Sequence, residues 1–143
     1  MQVRNAGWTL IELMVALLIV TVLALVAVPS YRNPVLRAHR VEAQSALLDL
    51  AAAQERFYLH HDRYASQMDL AAPPPGGLGL REVTRDGRYR VAIVAADVGS
   101  FTASAVASGA QAADALCATF TIDAFGTKGA TTAAGVAADG CWK

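Results

Sequence analysis

The chain has 143 residues, of which 55% are apolar, and its twelve Lys and Arg residues balance twelve Asp and Glu for a formal net charge of zero. A chain of that length holds one ordinary domain and little more. The even balance excludes binding of nucleic acid or an acidic surface through bulk charge, so any such role must come from a local patch.

The chain opens on an apolar stretch. From Leu13 to Val28 there is no charged residue and one polar one, Thr21. With Trp8 to Ile11 in front, the run approaches the roughly 20 residues that a bilayer-spanning helix needs. Glu12 is the exception. At the centre of such a helix a carboxylate costs about 2.5–3.5 kcal/mol, so an acid here is a functional candidate with a partner to be found. Its place in the first turn lowers that cost through the helix dipole and the headgroup region. Ahead of it, Met1 to Gly7 carries one basic residue, Arg4, and ends in Gly before the apolar run. A secretory signal has its small-residue cleavage site on the other side.

Beyond Tyr31 the sequence turns polar but keeps a helical period. Leu36, Ala43, Ala46, Leu47, Leu50, Ala53 and Phe57 recur at three- and four-residue spacing, with charged residues mostly between them. This predicts a helix of about 50 residues, apolar all round in its first half and amphipathic in its second. Pro29 and Pro34 predict a bend or local break between about Val28 and Asn33. The helix should end near Leu59 to Asp62, and Pro73-Pro74-Pro75-Gly76-Gly77 reads as an exposed loop. The period then changes to two, giving candidate strands at Leu80–Thr84, Arg88–Ala95, Phe101–Ser108 and Cys117–Ile122, with a two-residue hairpin signal at Asp86-Gly87. The tail from Asp123 to Lys143 is rich in Gly and Ala without a strong period. An α+β fold follows, in which an antiparallel sheet of three or four strands covers one face of the long helix.

Gly7-Trp8-Thr9-Leu10-Ile11-Glu12, an aliphatic helix behind it, and Pro29 and Tyr31 at the far end closely resemble the type IV pilin family. Arg63-Tyr64 just after the helix resembles its smaller bacterial members. The resemblance implies a leader, residues 1–7, removed between Gly7 and Trp8 by a prepilin peptidase that also methylates the new N-terminus. It implies a transmembrane and filament-core helix over 8–31 and a periplasmic, later extracellular, head over 32–143. Family members usually have Phe where this chain has Trp8. Glu12 is then the assembly residue, with the Trp8 amine as its partner. The implied partners are other pilin subunits, the peptidase, an inner-membrane assembly platform and membrane lipid. The implied place is the inner membrane before assembly and the pilus afterwards, with adhesion, twitching motility or DNA uptake as the task. A pseudopilin of a type II secretion system shares the same N-terminus, and a DNA- or surface-binding minor pilin is a further alternative. In an oxidising space beyond the membrane, Cys117 and Cys141 read as a disulfide closing the C-terminal loop, against the alternative of two buried thiols.

Other chemistry has little support. Adjacent residues on a helix point about 100° apart, so His60-His61-Asp62 does not converge on a metal and reads as a solvated helix end. Cys117 and Cys141 are too far apart for a Cys-x-x-Cys zinc or redox motif. No phosphate-binding glycine loop or Gly-x-Ser-x-Gly elbow occurs, so neither cofactor nor enzymatic activity is expected. Arg81, Arg85, Arg88 and Arg90, with Tyr89 among them, are the one basic concentration. They form a candidate DNA patch, although Glu82 and Asp86 interleave as in an ordinary solvated hairpin.

Overall fold

The computed structural model describes residues 9–142, without the side chains of residues 26–32; Gly7, Trp8 and Lys143 therefore lie outside the described residues, as do the side chains of Pro29 and Tyr31. The elements in chain order are helix α1 (Leu10–His61), strands β1 (Tyr89–Ala96), β2 (Phe101–Ala107), β3 (Thr119–Asp123) and β4 (Lys128–Thr131), with short 3₁₀ turns at Gln67–Asp69 and Gly109–Ala113. The chain divides into two units, Met1–Val35 and Leu36–Lys143.

In the first unit α1 begins behind Thr9, whose hydroxyl accepts the Glu12 amide at 3.3 Å. This is the capping arrangement of Thr-x-x-Glu, which gives one orphan amide of the first turn a partner. Every large apolar side chain from Leu10 to Leu25 is more than half exposed. Among the described residues no helix is long and apolar enough to cross a membrane. The run with described side chains stops at Leu25, short of the roughly 20 residues a bilayer requires. The helix is 52 residues long and runs without interruption through Pro29 and Pro34, so the expected local break is not formed. A proline inside a helix forfeits one donor, and the remaining turns carry the helix through.

The second unit is built on the amphipathic half of α1. Ala43, Leu47, Leu50, Ala53 and Phe57 are buried, as the spacing predicts, and join one core with the inner face of the sheet. The strands run antiparallel in the order β1-β2-β3-β4. One buried row crosses all four, Val91 beside Ala105, Ala105 beside Phe120, and Phe120 beside Ala130. Small residues on β2 and β4 alternate with large ones on β1 and β3, which lets neighbouring side chains of the layer fit together. Phe120 sits edge-on to Tyr89 and to Trp142 at 5.9 and 5.7 Å between ring centres.

Two strand expectations are corrected. Leu80–Thr84 is not a strand but a segment held beside β1 by one bridge, Val83 to Arg90, with flanking bonds from the Thr84 amide to the Tyr89 carbonyl and from the Val91 amide to the Glu82 carbonyl. The four residues 85–88 turn the chain, with Gly87 in the left-handed region at φ 74°, so the loop is longer than the two-residue hairpin expected. The fourth strand is β4, which lies in the tail where no period was legible. The helix ends at His61, within the expected span, and Asp62 adopts φ 52° as its left-handed stop. The Cys117–Cys141 disulfide is formed, with Cα atoms 5.8 Å apart.

Sequence reading missed Gln54, fully buried on α1. Its side chain donates to the Ala65 carbonyl at 2.9 Å and accepts the Ala65 amide at 2.7 Å, clasping the chain just after it leaves the helix. Replacing it with leucine leaves both backbone groups without partners. Gln54→Leu should therefore cost about 1–3 kcal/mol. Denaturant unfolding of the full chain in detergent checks this, and an unchanged midpoint counts against the clasp.

Candidate functional sites

Three places carry functional side chains. The first is the start of α1. Glu12 is exposed in the first helical turn, amid side chains that are otherwise apolar. Thr21 adds no second polar site, since its hydroxyl donates to the Leu17 carbonyl within the helix at 2.7 Å. Glu12 is thus the one ionisable group among the described residues from Thr9 to Leu25. The Thr9-x-x-Glu12 capping signature is the sequence signal for where this helix starts.

The second is the arginine cluster, which the fold separates. Arg88 reaches across to α1 and pairs with Glu42 at 3.0 Å, and it also bonds Asp86. Burial pushes the Glu42 carboxyl up, but the Thr84 hydroxyl, the Arg88 guanidinium and the Asp86 amide outweigh it and hold the group below its ordinary value. Arg88 is therefore occupied in fastening the hairpin to the helix. Arg81 and Arg85 line a groove of about 390 Å³ with Ala46, Asp49 and Val83. Arg90 points to the outer face of the sheet, in the row with Val106 and Thr119. None of Arg81, Arg85 and Arg90 forms an ion pair among the described residues. Two arginines thus share a groove, a third stands on a different face, and the fourth is neutralised. Tyr89, the aromatic that would stack a base, is fully buried and cannot do so.

The third was not legible in the sequence. Arg40 makes a bidentate pair with Asp114 at 2.7 and 2.8 Å, and Asp114 is only 4% exposed. Gln111 beside it donates to the Leu36 carbonyl at 3.0 Å and accepts from His39 Nδ1 at 3.1 Å. These four side chains fasten the β2–β3 connection to the helix, next to the disulfide. At the helix's other end His61 stacks on Phe57 at 4.1 Å and lies 2.8 Å from the Pro75 carbonyl, so it holds the proline loop.

A model of the family described as "Type IV minor pilin ComP, DNA uptake sequence receptor" matches residues 29–121, more than half of the chain. The chain belongs to the type IV pilin family. A second model, the prokaryotic N-terminal methylation motif, matches residues 3–28 of this pilin. Among curated relatives it is 40% identical over 62 residues to the type IV major pilin PilA of Myxococcus xanthus, covering 43% of the chain and 28% of the relative. It is 35% identical over 77 residues to the type IV major pilin PilE1 of Neisseria gonorrhoeae, covering 52% and 47%. The match thus spans less than half the length of these curated relatives. A solved type IV pilin from Shewanella oneidensis aligns at a TM-score of 0.48 with 25% identity, over 76% of this chain and 98% of that one. The pilin family is one of structural proteins rather than enzymes.

Below the arginine cluster lies a titratable group with a clear signature. The Tyr89 hydroxyl is buried near Gln111 and makes no hydrogen bond that meets ordinary geometry. Burial is the largest influence on it and pushes its pKa from 10.0 up to about 12. Raised above its unfolded value, this group contributes stability that is complete below pH 10 and is lost as pH rises through 12. Tyr89→Phe should flatten alkaline unfolding across that window. It should leave neutral stability unchanged or slightly higher, because an unpartnered hydroxyl is removed. Circular dichroism of both proteins between pH 8 and pH 12, run in parallel, decides it; equal alkaline slopes would contradict the assignment.

Proposed function

We propose that this pilin is a subunit of a type IV pilus, cut between Gly7 and Trp8, N-methylated on Trp8 and held in the filament through Glu12. The observation that carries this reading is a helix half whose large apolar side chains are all more than half exposed, with one carboxylate in its first turn. Such a surface needs either lipid or other copies of itself around it. In the membrane, residues 8–31 would form the single span and residues 32–143 the periplasmic head, presented to the assembly platform. In the filament the packed helices would supply cohesion by dispersion and close contact.

Aliphatic side chains fix axial register poorly. A buried acid fixes it well, because sliding it from its partner leaves an unpaired charge in an apolar place. The partner in this reading is the methylated, still cationic amine of Trp8, on the same or a neighbouring subunit. A subunit repeated by a contact that does not close builds a helical fibre. A type II secretion pseudopilus would use the same N-terminus. The disulfide-closed C-terminal loop and the Arg63-Tyr64 region favour the pilus.

Glu12→Ala should leave processing and membrane insertion intact and remove the chain from sheared filaments. Intact mass and N-terminal sequence of the membrane-borne protein, with immunoblots of the sheared fraction, check both halves. A chain beginning at Met1, or normal incorporation of the variant, would overturn the mechanism.

A second reading is favoured by the family model, whose description names a receptor for DNA uptake sequences. In this reading the chain is a minor subunit that binds DNA, and the groove holding Arg81 and Arg85 is where phosphates would sit. Arg88 would contribute little, since Glu42 and Asp86 already hold it. Arg81→Glu with Arg85→Glu should weaken DNA binding by roughly tenfold and reduce its salt dependence by about two charges. Arg88→Gln should act through stability instead. Titrations of labelled duplex at two salt concentrations separate the two, and equal affinity of the double variant sinks this assignment.

A further inference from the structure

The two ends of the head differ in a way that suits head-to-tail contact. At one end lie the β1–β2 and β3–β4 turns, together with the end of α1. The Tyr64 amide bonds the Asp97 carbonyl there, and the Ala124 amide bonds the Phe101 carbonyl. The β3–β4 turn presents Phe125, 84% exposed, which is unusual for an aromatic side chain in a small domain. Asp123 holds this turn rigid: its Oδ1 accepts the amides of Phe125 at 2.9 Å and Thr127 at 2.8 Å. The Thr127 amide in particular keeps the Asp123 carboxyl below its ordinary value, so it is ionised. The Thr127 side chain also bonds this carboxylate, which stays partly exposed and forms no ion pair among the described residues.

At the opposite end, beside the start of the head at Leu36, is a groove of about 510 Å³. The disulfide forms part of its wall, and Val41 and Leu116, 62% and 63% exposed, form apolar rims. Of its cations, Arg40 is spent on Asp114, whereas Arg37 forms no ion pair among the described residues. Gln44 is spent on the Cys141 carbonyl. The groove therefore offers apolar rims and the cation Arg37, with the exposed Asp139 also in its lining, and the far turn offers an apolar ring beside an anion.

We propose that Phe125 of one copy seats in this groove on a second copy of the chain. The ring lies against Val41, Leu116 and the disulfide, and the Asp123 carboxylate faces Arg37. The contact joins two different surfaces, so it is heterologous and propagates along a fibre rather than closing a dimer. The turn is already fixed by its aspartate, so docking it loses little conformational entropy. An aromatic ring filling a desolvated pocket is the residue type that dominates such contacts. This inference rests on the filament reading and adds a second contact, between heads, to the one made by the helices.

The test uses the full chain in its native host. Val41→Cys and Phe125→Cys are introduced together and sheared filaments are oxidised. Covalent ladders of the chain are expected from the pair and from neither single variant. Pairing Val41→Cys with Val136→Cys, equally exposed but on the tail, should give none. Incorporation of the double variant without ladders, or ladders of equal strength from the control pair, overturns the contact while leaving the pilus reading intact. Absence of the wild-type chain from filaments removes both. Phe125→Ala guards against effects of the new cysteines. It should lower filament-borne chain by roughly tenfold at unchanged membrane levels, the factor expected when an aromatic anchor is truncated. Phe125→Leu should retain most of it, and wild-type incorporation of Phe125→Ala is the contrary result.

Discussion

A long helix with two unlike surfaces is the constraint behind everything else in this protein. From Leu10 to Leu25 the surface is apolar apart from Glu12 and Thr21, and its large apolar side chains are exposed. From Leu36 onward it is apolar on one face only, and that face must meet another layer. The sheet is sized for this second task. Four short strands supply one buried row across the whole sheet, with alanines where the layer must be thin. The chain thus spends its sheet on the amphipathic half of the helix, and the first half is left to an environment that the single chain does not contain.

Apolar burial brings helix and sheet together without fixing how they sit. The register comes from buried polar groups. The bidentate Arg40–Asp114 pair and the Gln111 bonds to Leu36 and His39 tolerate no sliding of α1 along the β2–β3 connection, because each displaced group would be left without a partner. Gln54 does the same for the chain leaving the helix, and Glu42 for the hairpin that carries Arg88. All of these anchors sit on α1, so the helix serves as the frame on which each loop is measured.

This division explains what could be read from the sequence. The helix, its buried positions Leu47, Leu50 and Phe57, and the β1 and β2 strands follow from periodicity, which is a local property. The N-terminal motif is legible because its chemistry is written in consecutive residues, Gly7 to Glu12. The Arg40–Asp114 pair spans 74 positions, and nothing at either residue announces the other. β4 was missed for a related reason: Lys128-Gly129-Ala130-Thr131 has too few large residues to show a period, and it is a strand because it pairs antiparallel with β3, eight or more positions away in the chain for most of its length. The arginines misled in the opposite direction. They cluster in sequence, yet alternation along a strand and the turn at Gly87 send them to different faces, and Glu42, distant in sequence, takes one of them out of use.

The sheet edges bear on how such a subunit can assemble. An open β edge would let heads pair strand to strand without regard to register. Here both edges are occupied. Beside β1, the Val91 amide is taken by Glu82 and the Ile93 amide by the Gln67 side chain. Beside β4, the Gly129 carbonyl accepts the Trp142 indole at 2.7 Å and the Ala130 carbonyl accepts the Ala138 amide. The disulfide and the Gln44 bond to Cys141 hold the tail where it can do this. With backbone pairing closed off at these positions, any contact between heads in the proposed filament would run through side chains, whose shape and charge can specify one geometry. The C-terminal tail therefore does more than finish the fold: by covering β4 it would leave association, in the proposed filament, to the helix and to the turns.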